Sequence, residues 1–230
     1  MPERHIVALG GGGFTGEDVL LDDYILALTG KPRSKVCFVP TASGDSDFAI
    51  VRFYEAFPAE RCEASHLGLF RRRVDDLRAF VLSQDVVYVG GGNTATMLAA
   101  WRVHGLDAVL REAWEAGVVM CGVSAGALCW FECGVTDSFG PLRRLDDGLG
   151  FVAGSVCPHY DTEEQRRPTY RRLVSEGLAP GYAVEEDVGL HFVGSDLAEV
   201  VTSRPGALAF RVEKSGDDVL ERDLPFRSLP

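Results

Sequence analysis

The sequence predicts an α/β protein built on one open, mostly parallel sheet with helices on both faces. Three observations carry this. Short apolar runs rich in β-branched residues alternate with amphipathic stretches. The apolar runs are nearly continuous, as strands covered on both faces must be. After about residue 180 the alternation gives way to short strand-like runs joined by turns, which suit antiparallel additions at the edge of the same domain.

Taken in order, HIVALG (5–10), KVCFVP (35–40), a weaker ASHLGL (64–69), DVVYVG (85–90) and GVVMCG (117–122) read as strands. Between them EDVLLDDYILALTG (17–30), DFAIVRFYEAF (47–57), VDDLRAFVLS (74–83) and residues 94–117 repeat apolar side chains every three or four positions, the spacing of helices. LCWF, from Leu128, reads as the start of another buried helix. YAVEEDVGLHFVG, AEVVTSR and ALAFRVEKSG supply the late strands. A single domain spanning 1–230 is expected, because no linker, repeat or low-complexity segment interrupts the pattern.

A net charge of −11 and a pI near 4.9 argue against nucleic acid or an anionic membrane surface as the main partner. No basic-then-apolar leader opens the sequence, and no apolar run approaches the length of a membrane span, so a cytoplasmic location is expected. The six cysteines form no C-x-x-C pair and lie mostly in apolar stretches, which suits reduced, buried thiols rather than zinc ligands.

Two glycine clusters follow strands. GGGFTG (11–16) satisfies G-x-G-x-x-G, but the next strand ends in Pro-Thr-Ala-Ser instead of the acid that a dinucleotide site needs, so a tight turn is the simpler reading. GGGNT (90–94) opens the next helix and offers backbone N–H groups to a developing negative charge. Between them in interest stands GVSAG (122–126), a G-x-S-x-G at a strand-to-helix turn, where small neighbours let a serine project its oxygen from a strained elbow. Ser124 is the candidate nucleophile, and the amide of Ala125 faces the same space. Of the five histidines, His5 and His66 lie in strands, His104 at a helix end and His191 among the late strands. His159, after a proline in SVCPHYD, is the candidate base. For the orienting acid Asp137 is preferred, with Glu132, Asp161, Glu163 and Asp187 as rivals.

GGGNT, GVSAGA, a T-D-bearing loop and PHY, in that order, resemble the peptidase E family of serine peptidases, which includes cyanophycinases. The resemblance runs from the first strand to about residue 175. It implies a flavodoxin-like sheet related to class I glutamine amidotransferases, Ser124 as nucleophile, His159 as base, an acid in the Asp137 loop, and an oxyanion hole from the Gly92 and Ala125 amides. Asn93 and Thr94 of GGGNT join Glu163 and Arg166 as candidate substrate contacts. One departure stands out. Where peptidase E carries an arginine after the histidine to select an N-terminal aspartate, TEEQR (162–166) has Glu163, so strict aspartyl specificity is not expected unless Arg166 or Arg167 takes that role. The expected function is hydrolysis of short peptides, dipeptides by the family's example, through an acyl-enzyme, with no metal or organic cofactor called for. The alternatives are a non-catalytic binding protein on this fold, a glutamine amidotransferase relative (which would need a cysteine at the elbow) and an esterase-like hydrolase. Oligomeric state is not legible.

Overall fold

The computed structural model describes residues 2–16 and 18–230; Glu17, the first residue of the predicted helix 17–30, lies outside the described residues. The chain runs β1 (His5–Leu9), a single 3-10 turn (Gly13–Thr15), α1 (Leu20–Ala27), β2 (Lys35–Val39), a second 3-10 turn (Thr41–Ser43), α2 (Asp47–Ala56), β3 (Glu63–His66), α3 (Leu77–Leu82), β4 (Val86–Val89), α4 (Thr94–His104), α5 (Leu106–Glu115) and β5 (Val119–Val123). It continues through α6 (Ala125–Leu128), β6 (Phe131–Thr136), β7 (Arg143–Leu145), β8 (Val152–Cys157), α7 (Arg166–Ser175), β9 (Gly181–Val184), β10 (Val188–Val193), β11 (Asp196–Thr202), β12 (Ala209–Ser215), β13 (Asp218–Asp223) and β14 (Arg227–Ser228).

All five predicted early strands form, and they lie parallel in one sheet ordered β14-β11-β10-β1-β5-β4-β2-β3. β4 and β5 are buried along their whole length, as their unbroken apolar runs require. The stretch β3-β2-β4-β5 follows the flavodoxin-like order, and β1 takes the fifth place. The order therefore reverses between β2 and β4, and the crevice beyond their carboxyl ends is the expected place for a site. Helices cover both faces: α1 and α2 bury Leu21, Ile25 and Phe53 on one, while α3, α4 and α5 bury Leu77, Met97 and Leu110 on the other.

Three expectations change. The stretch 94–117 is two helices, because Gly105 turns left-handed (φ 69°) and ends α4 before α5 begins. The helix expected from LCWF is a single turn, α6; Phe131 onward is strand β6. The late strands do not all join the first sheet. β10 and β11 extend it antiparallel beside β1, as expected. β9, β12 and β13 instead pair with β6, β7 and β8 in a second sheet ordered β13-β12-β9-β8-β6-β7. This sheet shares a core with the first: Trp130, Phe131 and Val156 pack with Val89, Met120 and Phe192. Its other face is covered by α7 through Tyr170, Leu173 and Val174.

Asp22 is a polar exception inside the core. It is fully buried on α1 and, with the Tyr88 hydroxyl, lies under Gly13, neither group holding a well-formed hydrogen bond. Burial pushes its carboxyl up from 3.8 to about 7, against the pull of Arg61. Between those two values the native state keeps a proton that the unfolded chain has lost. The contribution to stability is thus full below about pH 4 and declines as the pH rises to about 7. In urea titrations across that window, wild type should lose on the order of 3 kcal/mol that Asp22→Asn does not lose.

Candidate active site

β5 ends at Val123, and the chain turns at Ser124 with φ 58° and ψ −110°. For a residue with a Cβ this conformation costs about 1–3 kcal/mol and must be held by its surroundings. The Ser124 amide donates to the Leu9 carbonyl at the end of β1 (3.2 Å). The two glycines of GVSAG are there for space. A Cβ on Gly126 would stand 2.2 Å from the Val89 carbonyl oxygen, and one on Gly122 would stand 2.5 Å from that of Gly126. The elbow is therefore pressed against β4, and the serine is the part left to face outward.

β4 ends in the GGGNT turn. Gly92 has φ 135°, and a Cβ there would lie 2.2 Å from the Ala42 carbonyl oxygen, while the Asn93 amide donates to that same oxygen (2.8 Å). The Asn93 side chain accepts from the Thr96 amide and donates to the Ser138 carbonyl, both at 2.9 Å, so it fixes the start of α4 and the 138 loop instead of reaching for a ligand. Thr94 is buried. Gly92, Thr94, Ser124, Ala125 and Arg166 line one narrow crevice. Among the described residues the N–H groups of Gly92 and Ala125 have no acceptor.

His159 reaches the same place from the second sheet. It follows β8 with φ 56°, and its amide donates to the Gly10 carbonyl (3.2 Å). Its Nδ1 is paired with a carboxylate oxygen of Glu186. Glu186 lies in the tight turn between β9 and β10, where Asp187 also takes a positive φ of 63°. Thr162 Oγ1 donates to the Glu186 carboxylate (3.2 Å), and the Glu186 amide donates to Asp161 Oδ1 (2.9 Å). Arg204 ties the turn down by donating to Asp161, Asp187 and the Glu186 carbonyl. Glycine at position 11 makes room for this: a Cβ there would sit 1.5 Å from Glu186 Oε2. The first glycine cluster is thus a bed for an acidic turn.

Asp137, the acid preferred from the sequence, is exposed at the mouth of the Ser124 crevice and is not the residue on His159. The reason is topological: β6 intervenes between α6 and Asp137, carrying that loop to the far side of the serine. Glu132 accepts from the Gly154 amide (2.8 Å) in the second sheet, and Asp161 and Asp187 hold the Glu186 turn without being the histidine's partner. Glu163 is not a bare carboxylate facing substrate. It pairs with Arg166 Nε (2.7 Å), whose Nη1 donates to the Val135 carbonyl (3.1 Å) with the arginine only 4% exposed. Arg167 pairs with Glu221. The remaining histidines sit elsewhere. His5 and His191 bond each other, His66 bonds the Tyr54 hydroxyl, and His104 lies in the last turn of α4.

Ser124 and His159 both line a cleft of about 270 Å³ whose walls include Phe14, Phe38, Phe48 and Arg52. Against this geometry, the family model described as Peptidase family S51 matches residues 6–200. The chain belongs to this family. The S51 peptidase is 50% identical over 229 residues to an uncharacterized peptidase, YgaJ, of Bacillus subtilis, covering 98% of this chain and 99% of that one. It is 24% identical over 213 residues to Peptidase E of Pasteurella multocida, covering 83% and 86%. Two solved structures share its fold. One is a peptidase from an acI-B1 Actinobacterium (TM-score 0.72, 17% identity, 97% and 95% coverage); the other is a putative peptidase E protein from Listeria monocytogenes (0.60, 18%, 97% and 100%). The chain is a serine-type peptidase of the peptidase E kind. Cys121, on β5 before the elbow, is fully buried, and burial pushes its thiol well above its ordinary range, which leaves no thiolate for an amidotransferase-type attack. Among the described residues no helix is long and apolar enough to cross a membrane.

Gly92→Ala should lower unfolding free energy by about 2–4 kcal/mol in denaturant titrations, since the new methyl meets a carbonyl at a strained φ. Ser124→Gly should raise it by about 1 kcal/mol as the elbow relaxes.

Proposed function

We propose that this S51 peptidase hydrolyses short peptides through an acyl-enzyme formed on Ser124, with His159 as base and Glu186 as the acid that orients it. The observation that carries the reading is the His159 Nδ1–Glu186 pair at the cleft that Ser124 lines. A carboxylate on Nδ1 fixes the tautomer whose Nε2 is a free acceptor, which is the atom that must take the serine proton. As Oγ attacks the peptide carbonyl, the N–H groups of Gly92 and Ala125 receive the oxyanion; one such donor is worth ~10²–10³ in rate. The imidazolium then protonates the departing amine, and a water deprotonated by the same ring releases the acyl group.

A cleft of about 270 Å³ lies at the small end of ligand pockets, which suits a dipeptide-sized section of substrate. Glu163, neutralised by Arg166, would neither repel an acidic side chain strongly nor capture an amine, so this pair argues for no strict aspartyl requirement and no basic one. We also read the two sheets as one folding unit, since they share a core, and place the protein in the cytoplasm, where six free, buried thiols remain reduced.

Ser124→Ala should lower kcat on a dipeptide library by roughly 10⁴-fold or more with an unchanged circular dichroism spectrum, and should abolish labelling by a fluorophosphonate. Activity at the wild-type level in that variant would end the proposal. Glu186→Gln should cost ~10³–10⁴ in kcat, while Asp137→Asn should change it by less than about tenfold; the reverse ranking would return the acid's role to Asp137.

A further inference from the structure

Twenty arginines supply nearly all of the chain's positive charge. Among the described residues, eleven pair with a carboxylate within 4.0 Å, and Arg4, Arg111, Arg143 and Arg211 lie over aromatic rings. Arg33, Arg52, Arg71, Arg72 and Arg73 do neither. Arg33 precedes β2 at the amino end of the sheet; the other four surround α2 beside the serine cleft.

Arg52 lines that cleft with Ser124 and His159. On the other side of the first turn of α2 lies a basin of about 800 Å³, walled by Asp45, Asp47, His66, Phe70, Arg71 and Arg73 among others. Asp45 Oδ2 accepts the Phe70 amide (2.8 Å) and so holds the arginine loop in place, while its Oδ1 is buried without a hydrogen-bond partner among the described residues. Phe48 on the cleft and Phe70 on the basin are 73% and 56% exposed, an unusual placement for two large apolar rings. Arg71, Arg72 and Arg73 are adjacent, exposed and paired with no carboxylate among the described residues, and so form a local positive patch on a protein of net charge −11.

We propose that the basin is an extended substrate subsite that binds a peptide carboxylate, with Arg71 and Arg73 as the contacts, Arg52 guiding the chain toward Ser124, and Phe48 and Phe70 covering apolar side chains between them. The inference rests on the reading of Ser124 as nucleophile only for the word substrate; the carboxylate site stands or falls on binding. The enzyme then prefers peptides longer than a dipeptide that carry negative charge beyond the scissile bond. The carboxylate is either an acidic side chain or the peptide's own C-terminus.

The test is equilibrium binding to the full-length Ser124→Ala protein by calorimetry, with three matched tetrapeptides: glutamate-bearing with an amidated end, glutamine-bearing with a free carboxylate, and glutamine-bearing with an amidated end. At least one carboxylate peptide should bind about tenfold or more tighter than the neutral one at low salt. Which of the two does so identifies the source. The preference should shrink between about 50 and about 500 mM salt, vanish in the Arg71→Glu/Arg73→Glu protein and weaken in Arg71→Gln/Arg73→Gln. Equal affinities for all three peptides, no measurable binding of either carboxylate peptide, or a preference that survives charge reversal would overturn the subsite. Fluorophosphonate labelling of the protein with serine at 124 is scored separately: its absence would sink the nucleophile and leave the binding result standing.

Discussion

The close approach of the elbow to β4 is the constraint on which the site depends. With no side chains at positions 122 and 126, the backbone after β5 lies against Val89, and residue 124 is forced into a conformation it would otherwise avoid. The same approach sets the amide of Ala125 beside the GGGNT turn, because that turn leaves β4 from the very place where the elbow leans on it. Ala42, after β2, then closes against Gly92. Three strand ends at the switch point of the sheet thus fix one another through backbone contacts, and the reactive groups inherit their positions from main-chain packing rather than from long side chains.

The second sheet completes what the first begins. His159 comes from the end of β8, and its carboxylate partner comes from the chain's return into the first sheet at β10. The acidic turn is held by Arg204 and Asp161 and bedded on glycines, so the imidazole is oriented by a network with little slack. Burial keeps the cysteines out of this chemistry: Cys121, Cys129 and Cys157 are fully enclosed, and their thiols are pushed up by desolvation.

Much of this was legible in the sequence. The parallel strands announced themselves as unbroken apolar runs, Ser124 and His159 stood out by residue type and neighbours, and Gly92 by the family resemblance. Glu186, the acid proposed for the triad, did not. Glu186 lies in a run of three acids, Glu185-Glu186-Asp187, and Asp187, its immediate neighbour, was among the rivals considered. A signal existed in the acidic run set tightly between YAV and VGLHFV, opposite a strand ending in four glycines. Reading it required knowing that β10 pairs with β1, a partnership between strands some 180 residues apart that no local pattern encodes. The second sheet was hidden for the same reason. The pairing of β6 with β8 is not local, and Leu128-Cys129-Trp130-Phe131 is equally apolar whether it continues a helix or begins a strand. The helical spacing over 94–117 and the helix end at His104 were both legible; the left-handed Gly105 after it makes the boundary between α4 and α5.

Because the serine and the histidine are delivered by different sheets, and the carboxylate only by the turn that rejoins them, no fragment of the chain assembles the trio. A polypeptide still emerging during synthesis would present the hydroxyl long before its partners arrive. On the proposed triad, hydrolytic power would arise only with completion of the fold itself.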